Sequence, residues 1–379
     1  MTQRMKILGL RVKHYHQFQN FYLNLTEPAE GNALEQVCLI GANGTGKSTL
    51  LKLLSLFLQH GQPMWTDQSV EFLSVIAIHL QLDHQRLWIL KHHFYHPIVL
   101  LDTVAIEDYW SQFWVAATEQ KLAAAKNQVV RVRFSNQQSL LEKIRLRANA
   151  ADLAIYATPD GRSLLNAELP TTNLDQASGF FNNFKAFHIS SYDQVEDFWN
   201  VLIYQIKKRE RDELLFFSNP DTQKLTVEQA RQQFNAQNPE ILTALADQWN
   251  LILAKAGLAF DVENAVIPVQ TTENLQAYIK SIKTGAQIPY NALSTGIRNF
   301  IFRLGHIYSL YFNRPVERGF LLVDEPETSL FPDLLYDIVA RYQSIIQNTQ
   351  FFVATHSPII AAQFKPEERS ILEFDDNHY

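Results

Sequence analysis

The sequence predicts an α/β fold in which a parallel core sheet is joined by an antiparallel β subdomain and a helical lobe. The runs Phe320–Val323 and Phe351–Ala354 are apolar throughout, as is typical of parallel strands buried on both faces. The residues between them have the apolar spacing of a helix, which completes a strand–helix–strand unit. Several segments between about residues 70 and 165 instead alternate apolar and polar residues, as antiparallel strands do.

The composition restricts the class of protein. With 379 residues, 46% of them hydrophobic, the chain can bury a sizeable core. Its single cysteine, Cys38, excludes an internal disulfide framework and favours a reducing, cytoplasmic setting. There is no run of about eighteen apolar residues and no apolar leader, so we expect neither a membrane span nor secretion. The net charge of −6 argues against a protein that coats nucleic acid non-specifically.

The first sixty residues are predicted to form three strands and a buried helix. The strands are Met5–Val12, Phe18–Leu25 and Glu35–Ile40, and Ser48–Leu58 is apolar on nearly every face of a helix. Further along, five basic residues alternate along predicted strands and should share one face: Arg131, Arg133, Lys143, Arg145 and Arg147. A solvated sheet face is the favoured interpretation, and a surface for nucleic acid or an acidic partner is the alternative.

Residues from about 195 to 285 are predicted to be mainly helical. Thr226 and Gln229 have the spacing of a capping box at the start of one helix. Pro239 is expected in the first turn of the next helix, and Gly257 is expected to end it. After Ile288 the pattern predicts a helix, a strand, a helix, a strand, a helix and a last strand.

The segment Gly41–Ser48 (GANGTGKS) matches a phosphate-binding loop and lies between a predicted strand and a predicted helix. Glycines let backbone N–H groups turn inward around a β-phosphate, and the helix N-terminus adds positive potential. Lys47 can reach the β- and γ-phosphates, the Ser48 hydroxyl can ligate Mg²⁺, and Thr49 can support the α-phosphate. The expected nucleotide-binding residues of this segment are Asn43, Gly44, Thr45, Gly46, Lys47, Ser48 and Thr49.

Two acids follow the buried strand that begins at Phe320. Because the carboxyl ends of parallel strands meet at one edge of the sheet, Asp324 and Glu325 should lie near the phosphate loop. Asp324 would hold Mg²⁺ through water, and Glu325 would orient or deprotonate the attacking water. His356 follows the next buried strand and could contact a γ-phosphate from there.

The segment Leu293–Asn299 (LSTGIRN) opens a predicted helix. Ser294 and Gly296 place a hydroxyl and an unshielded backbone N–H at its N-terminus, which suits an anion. Taken alone, this segment is better explained as an ordinary serine-capped helix.

In this order, the phosphate loop, Leu293–Gly296, the acidic strand and His356 resemble the motifs of the ATP-binding-cassette ATPases. The sequences DEPETSLFP at Asp324–Pro332 and ATHSP at Ala354–Pro358 resemble the SMC-like branch of that family. That branch includes the OLD (overcoming lysogenization defect) ATPases and the ATPase subunits of the Septu and PARIS anti-phage systems. Phe331 stands where the branch usually has histidine, a departure that affects the loop between subunits but no catalytic position.

The resemblance implies ATP and Mg²⁺ as ligands and a head-to-tail homodimer. Ser294 and Gly296 would then act in trans on the nucleotide held by the phosphate loop of the partner subunit. The resemblance also implies a glutamine that links Mg²⁺ and the attacking water to the helical lobe. Gln194 is our candidate for this catalytic and metal-linked role, and Gln81 is the alternative.

We expect residues 1–195 to form the first part of an ATPase head, 196–285 a helical lobe, and 286–379 the second part of the head. The expected function is a nucleotide-gated sensor or scaffold of an anti-phage system, which controls a separate effector such as a nuclease or toxin. The alternatives are a DNA-repair ATPase that clamps duplex DNA, the energising subunit of a transporter, and a scaffold that binds ATP without turnover.

Overall fold

The structure is a computed structural model that describes residues 5–60, 74–82, 84–92, 98–101, 153–159, 187–191, 195–266, 276–288, 292–312, 316 and 319–374. Its strands are β1 (Met5–Lys13), β2 (Phe21–Asn24), β3 (Gln36–Gly41), β4 (Val75–Leu82), β5 (Gln85–His92), β6 (Ile98–Leu101), β7 (Leu153–Ala157), β8 (Phe187–Ser190), β9 (Leu258–Val266), β10 (Gln276–Ser281), β11 (Gln287–Ile288), β12 (Gly319–Asp324), β13 (Thr349–Thr355) and β14 (Arg369–Leu372). Its helices are α1 (Lys47–His60), α2 (Val195–Ser218), α3 (Val227–Gln237), α4 (Ile241–Leu253), α5 (Thr295–Phe312), α6 (Pro332–Leu335), α7 (Ile338–Ile345) and α8 (Pro358–Ala361).

A six-stranded parallel sheet forms the centre of the molecule, with the strand order β14-β3-β13-β12-β7-β8. Every residue of β12 and β13 is buried, because both faces of these strands are covered. The predicted parallel core sheet is therefore confirmed. The elements after Ile288 follow the predicted order, except that two short helices, α6 and α7, lie between β12 and β13 where one helix was predicted.

β7 lies in the region between about residues 70 and 165 whose alternating pattern predicted antiparallel strands, but it pairs in parallel with β12. Ile155 lies beside Leu321 and Tyr156 beside Leu322, and both are buried. A segment whose pattern alone suggested an antiparallel strand therefore belongs to the central parallel sheet, where β7 lies between β12 and β8.

A five-stranded antiparallel sheet with the order β2-β1-β4-β5-β6 packs on the other side of α1. Leu50 and Phe57 of α1 share one apolar cluster with Ile78 of this sheet and Phe352 of the parallel sheet. This sandwiched position explains why α1 is apolar on nearly every face. β2 is shorter than predicted, because the tight turn between Tyr15 and Phe18 and the left-handed residue Asn20 precede it.

The region predicted to be mainly helical, residues 195–285, contains α2, α3 and α4, but its second part forms β9 and β10 of an antiparallel sheet with β11. Its predicted caps are present with one exception. The Thr226 hydroxyl accepts a hydrogen bond from the Gln229 N–H, and the Gln229 side chain accepts one from the Thr226 N–H, so the capping box is confirmed. Gly257 ends the lobe's last helical turn with φ at 72°, as predicted. Pro239 does not occupy a first helical turn, because Glu240 caps α4 and the proline precedes that cap.

Some sequence predictions fall outside the part of the chain that the structure describes. They include the five basic residues between 131 and 147, and Gln194. The boundaries between the three predicted domains stay predictions. Among the described helices, none is both long and apolar enough to cross a membrane.

Candidate functional site

The candidate site lies at the carboxyl edge of the parallel sheet, where three neighbouring strands end. Ile40 of β3 is in register with Thr355 of β13, and Ala354 of β13 is in register with Asp324 of β12. The loops that follow these strands carry Lys47, the acidic pair and His356, so residues far apart in sequence converge at one edge.

The phosphate loop between β3 and α1 depends on left-handed glycines. Gly44 has φ at 85° and Gly46 at 91°, a region that other residues rarely adopt. A Cβ on Gly46 would also lie 2.2 Å from the Phe18 ring, in the turn between β1 and β2. The Gln17 side chain from the same turn donates a hydrogen bond to the Gly44 carbonyl at 3.3 Å. The loop is thus supported from outside by a turn that sequence reasoning did not connect with it.

Lys47 lies at the centre of the loop and is 5% exposed. Its Nζ donates hydrogen bonds to the carbonyl oxygens of Gly41 at 2.9 Å and Ala42 at 2.7 Å. Burial lowers the pKa of Lys47, and the nearby charges of Glu325 and Asp324 act in the opposite direction. The arrangement places a positive charge among donors that can bind phosphate.

Ser48 and Asp324 form the direct link between the loop and the acidic strand. The Ser48 hydroxyl donates to Asp324 Oδ1 at 3.0 Å, and the Tyr156 hydroxyl donates to Oδ2 at 3.4 Å. A hydroxyl and one carboxylate beside a phosphate site are the oxygen ligands that Mg²⁺ takes together with nucleotide phosphates. The donor set therefore fits Mg²⁺, and the described residues contain no cluster of three or more His, Cys, Asp or Glu side chains that could hold a metal without such phosphates.

Glu325 has an uncommon backbone conformation that is fixed from several directions. Its φ is 44°, in the left-handed region that a non-glycine residue rarely adopts. Its N–H donates to the Ala354 carbonyl at 2.9 Å, which continues the pairing of β12 with β13. The Thr328 hydroxyl donates to the Glu325 carbonyl at 2.9 Å and lies 3.3 Å from its Oε2. The half-buried carboxylate is therefore held at the sheet edge beside Asp324.

Arg303 of α5 supports the acidic pair from behind and was missed by sequence reasoning. It is 4% exposed, and its Nη1 donates to the carbonyl oxygens of Asp324 at 3.1 Å and Glu325 at 3.0 Å. An arginine among the apolar residues in the middle of α5 was the available signal, because a buried guanidinium needs acceptors.

Ser294 and Gly296 lie at the N-terminus of α5. Ser294 is exposed and its hydroxyl accepts a hydrogen bond from the Ile297 N–H at 3.4 Å. Gly296 packs against the loop after the acidic pair, where a Cβ would lie only 1.9 Å from the Ser329 carbonyl oxygen. Neither residue has a hydrogen bond to the phosphate loop within the described residues of the same chain.

His356 follows β13 and is held by Glu327, a residue that the sequence analysis did not single out. The imidazole is 47% exposed, whereas the Glu327 side chain is 5% exposed. Glu327 Oε1 accepts hydrogen bonds from the Thr355 hydroxyl at 2.6 Å and from the His356 N–H at 2.8 Å. The acid lies in the turn that also carries Glu325, so the acidic strand and the histidine loop are joined directly.

The remaining candidates are the two glutamines and a cavity beside the loop. Gln81 lies on β4, in register with Lys6 of β1 and Arg86 of β5, whereas Gln194 is outside the described residues. The cavity has a volume of about 220 Å³. Its lining includes Gln17, Phe18, Phe21, Thr45, Ile371 and Phe374.

Comparisons with known proteins add a family match and several distant structural resemblances. A family model described as an AAA ATPase domain matches residues 5–80 and 106–361, which include the phosphate loop, the acidic pair and His356. Among solved structures, the chain is similar to an Smc head bound to the C-winged helix domain of ScpA, with 14% identity and a TM-score of 0.45. It is also similar to a Smc head with an extended coiled coil bound to the C-terminal domain of ScpA from Pyrococcus furiosus (15%, 0.44) and to the SMC head of Thermotoga maritima (11%, 0.42). Each of these matches covers 94% of this chain and 91% of the other.

Proposed function

Because the chain belongs to the AAA ATPase domain family, we propose that it binds ATP with Mg²⁺ at the phosphate loop and hydrolyses it between two copies of the chain. The observation that carries this proposal is the hydrogen bond of 3.0 Å between Ser48 and Asp324. It joins the loop that would bind phosphate to the strand that would bind the metal, beside the buried cation of Lys47.

In the proposed complex, Lys47 and the loop N–H groups bind the β- and γ-phosphates, and Ser48 and Asp324 hold the metal. Mg²⁺, when bound, neutralises charge that develops on the phosphate oxygens. The adenine base enters the cavity of about 220 Å³ beside Thr45, where Phe18 and Phe374 supply aromatic surface.

Glu325 is the proposed partner of the attacking water. The water oxygen bonds to the γ-phosphorus while the bond from that phosphorus to the β–γ bridging oxygen breaks, and the carboxylate accepts the proton that the water loses. Its fixed backbone supports this role, because catalysis of phosphoryl transfer depends mainly on positioning. Arg303 contributes by holding the two carbonyl groups of the acidic pair in place.

The second copy supplies the proposed signature residues. Ser294, which precedes α5, is exposed and does not bond the phosphate loop of its own chain within the described residues, whereas Gly296 behind it is buried. A nucleotide on one subunit could therefore be contacted by Ser294 and Gly296 of the other, and ATP would stabilise the dimer through its γ-phosphate.

A Glu325→Gln substitution tests this proposal. The variant should bind ATP, hydrolyse it at least about tenfold more slowly and accumulate as a dimer, because it lacks the proton acceptor but keeps the phosphate contacts. Sedimentation with and without Mg–ATP, alongside a hydrolysis assay, measures both effects. Glu228→Gln, an exposed acid on α3, is the matched control. A variant that stays monomeric with ATP and turns over normally would overturn the assignment.

We further propose that this ATPase is the sensor or scaffold of an anti-phage system and controls a separate nuclease or toxin. The support is the resemblance of DEPETSLFP and ATHSP to the ATPases of such systems. Cells that carry the gene with its neighbours should resist phage, and Lys47→Ala should abolish that resistance. If instead duplex DNA stimulates hydrolysis and the stimulation falls steeply with salt, the DNA-repair alternative is favoured.

A further inference from the structure

Glu327 is a buried carboxylate whose hydrogen bonds, among the described residues, go to the end of β13 and to the loop that follows it. The residue is 6% exposed. Its Oε1 accepts from the Thr355 hydroxyl and from the His356 N–H, and it also lies 3.2 Å from His356 Nδ1. One oxygen therefore contacts the strand end, the backbone and the imidazole ring of the loop that follows β13.

The other carboxylate oxygen of Glu327 indicates that this residue does more than stabilise the fold. Oε2 is buried and has no hydrogen-bond partner among the described residues. A buried polar atom without a partner costs about 1–3 kcal/mol, and such atoms in native proteins commonly belong to functional sites. The acid at this position therefore requires an explanation other than packing.

The position of Oε1 favours one form of the His356 ring. In a neutral imidazole one nitrogen carries the proton and the other accepts, and a carboxylate next to Nδ1 favours the proton on that nitrogen. Nε2 is then the nitrogen that remains for a ligand. The ring is 47% exposed, so a ligand from solvent can reach it.

We propose that Glu327 is a positioning residue that keeps the proton on Nδ1 of His356 and fixes the ring, so that the unprotonated Nε2 accepts a hydrogen bond from the attacking water. Because Glu327 lies in the same turn as Glu325, it also fixes the distance between the histidine and the acid that orients water. The contact with the attacking water rests on the function proposed above. The location of the proton does not.

The first test measures the proton directly in the nucleotide-free protein. The chain contains 12 histidines, so the NMR signals of His356 must first be assigned. In protein with isotope-labelled histidine, they are the signals that disappear in the His356→Ala variant. The wild-type ring should show the Nδ1–H form. Glu327→Leu, which removes the acceptor, should shift the ring towards the Nε2–H form, and Glu327→Gln, which keeps the side-chain volume, should shift it in the same direction by less. Thr355→Val, which removes only the neighbouring hydroxyl, should leave the Nδ1–H form in place.

The second test is a double-mutant cycle on ATP hydrolysis. Glu327→Gln and His356→Ala should each lower kcat by about tenfold and change the KM for ATP by less than about twofold. The double variant should be no more than about twofold slower than His356→Ala alone, because Glu327 acts through the histidine.

The outcomes separate this inference from the proposed function. An Nε2–H ring in the wild type, a ring unaffected by both Glu327 variants, or rate losses that multiply to about a hundredfold would overturn it. If the Nδ1–H form is observed and lost in the variants but the wild type hydrolyses no ATP, the positioning role stands and the proposed hydrolysis fails.

Discussion

Gly296, at the start of α5, lies against the carbonyl oxygen of Ser329 in the loop that follows the acidic pair. A Cβ at residue 296 would lie 1.9 Å from that oxygen, and Ser329 itself has a left-handed backbone with φ at 62°. The proposed signature helix and the loop that carries the proposed catalytic acid are therefore packed backbone to backbone. Movement of one should displace the other, because close-packed interfaces transmit displacement.

Gly296→Ala should weaken both stability and hydrolysis. The added methyl group forces α5 away from Ser329, which should lower the free energy of unfolding by about 1–3 kcal/mol. The displacement of α5 should also lower kcat by at least about tenfold, because Arg303 on the same helix holds the acidic pair. Chemical denaturation and a hydrolysis assay measure the two effects.

Asn299→Ala, on the same helix, adds no atom near Ser329 and serves as the control for Gly296→Ala. It should keep the wild-type free energy of unfolding within about 0.5 kcal/mol. A Gly296→Ala protein with wild-type stability and turnover would show that the close approach to Ser329 has no mechanical role.

Ser48→Ala should raise the Mg²⁺ concentration that hydrolysis requires, and it should change the affinity for nucleotide without metal much less. The hydroxyl bonds Asp324 Oδ1 at 3.0 Å and is the proposed protein ligand from α1. Loss of even an outer contact of a metal site typically costs 10–100-fold in affinity, so the half-saturating Mg²⁺ concentration for hydrolysis should rise by at least about tenfold. Titration of Mg²⁺ at fixed ATP gives this value.

Ser55→Ala is the matched control, since Ser55 is a buried α1 serine that bonds only the Lys52 carbonyl among the described contacts. Its Mg²⁺ titration should match the wild type. Binding of a fluorescent ATP analogue with EDTA present should be within about twofold for both variants. Equal Mg²⁺ curves for Ser48→Ala and the wild type would argue against Ser48 as a metal ligand.

The sequence predicted those parts of the site whose residues are contiguous. The phosphate loop is one segment, since a strand, a glycine turn and a helix N-terminus suffice to form it. Arg303 and Glu327 could not be found in this way, because their partners are 21 and 29 residues distant. Strand pairing is equally non-local, and for that reason the position of β7 beside β12 emerged only from the structure.

His306 should make the stability of the fold depend on pH. It is fully buried, its Nδ1 lies 3.1 Å from the Ser190 hydroxyl, and burial together with His188 lowers its pKa from 6.5 to about 3. Between these values the unfolded chain binds a proton that the folded chain does not. The stabilising contribution is therefore complete above pH 6.5 and decreases as the pH falls towards 3.

Between pH 7 and pH 5.5, this one group should lower the free energy of unfolding by about 1 kcal/mol. Denaturation of the wild type and His306→Gln at both pH values measures the difference, and the variant should lose less stability on acidification. His60→Gln, an exposed histidine at the end of α1, should keep the wild-type dependence. Parallel curves for wild type and His306→Gln would contradict the prediction.

Mixing two inactive variants tests whether the signature acts in trans. Lys47→Ala removes the phosphate contact of one subunit, and Ser294→Arg blocks the exposed N-terminus of α5. In a mixed dimer, one composite site carries both substitutions while the other combines an intact Lys47 with an intact Ser294. Because half the dimers in an equal mixture are mixed and each has one intact site, activity should return to about a quarter of the wild type.

The expected recovery depends on the two residues belonging to different subunits. If Lys47 and Ser294 of the same chain served one nucleotide, no dimer in the mixture would hold a complete site and activity would stay at the background of each variant. A mixture of Lys47→Ala with Glu325→Gln, two residues expected to serve the same nucleotide from the same chain, is the matched negative control and should stay at the background, because every site then carries one substitution. A test mixture that stays at the same background as this control would argue against a role for Ser294 at the nucleotide of the partner subunit.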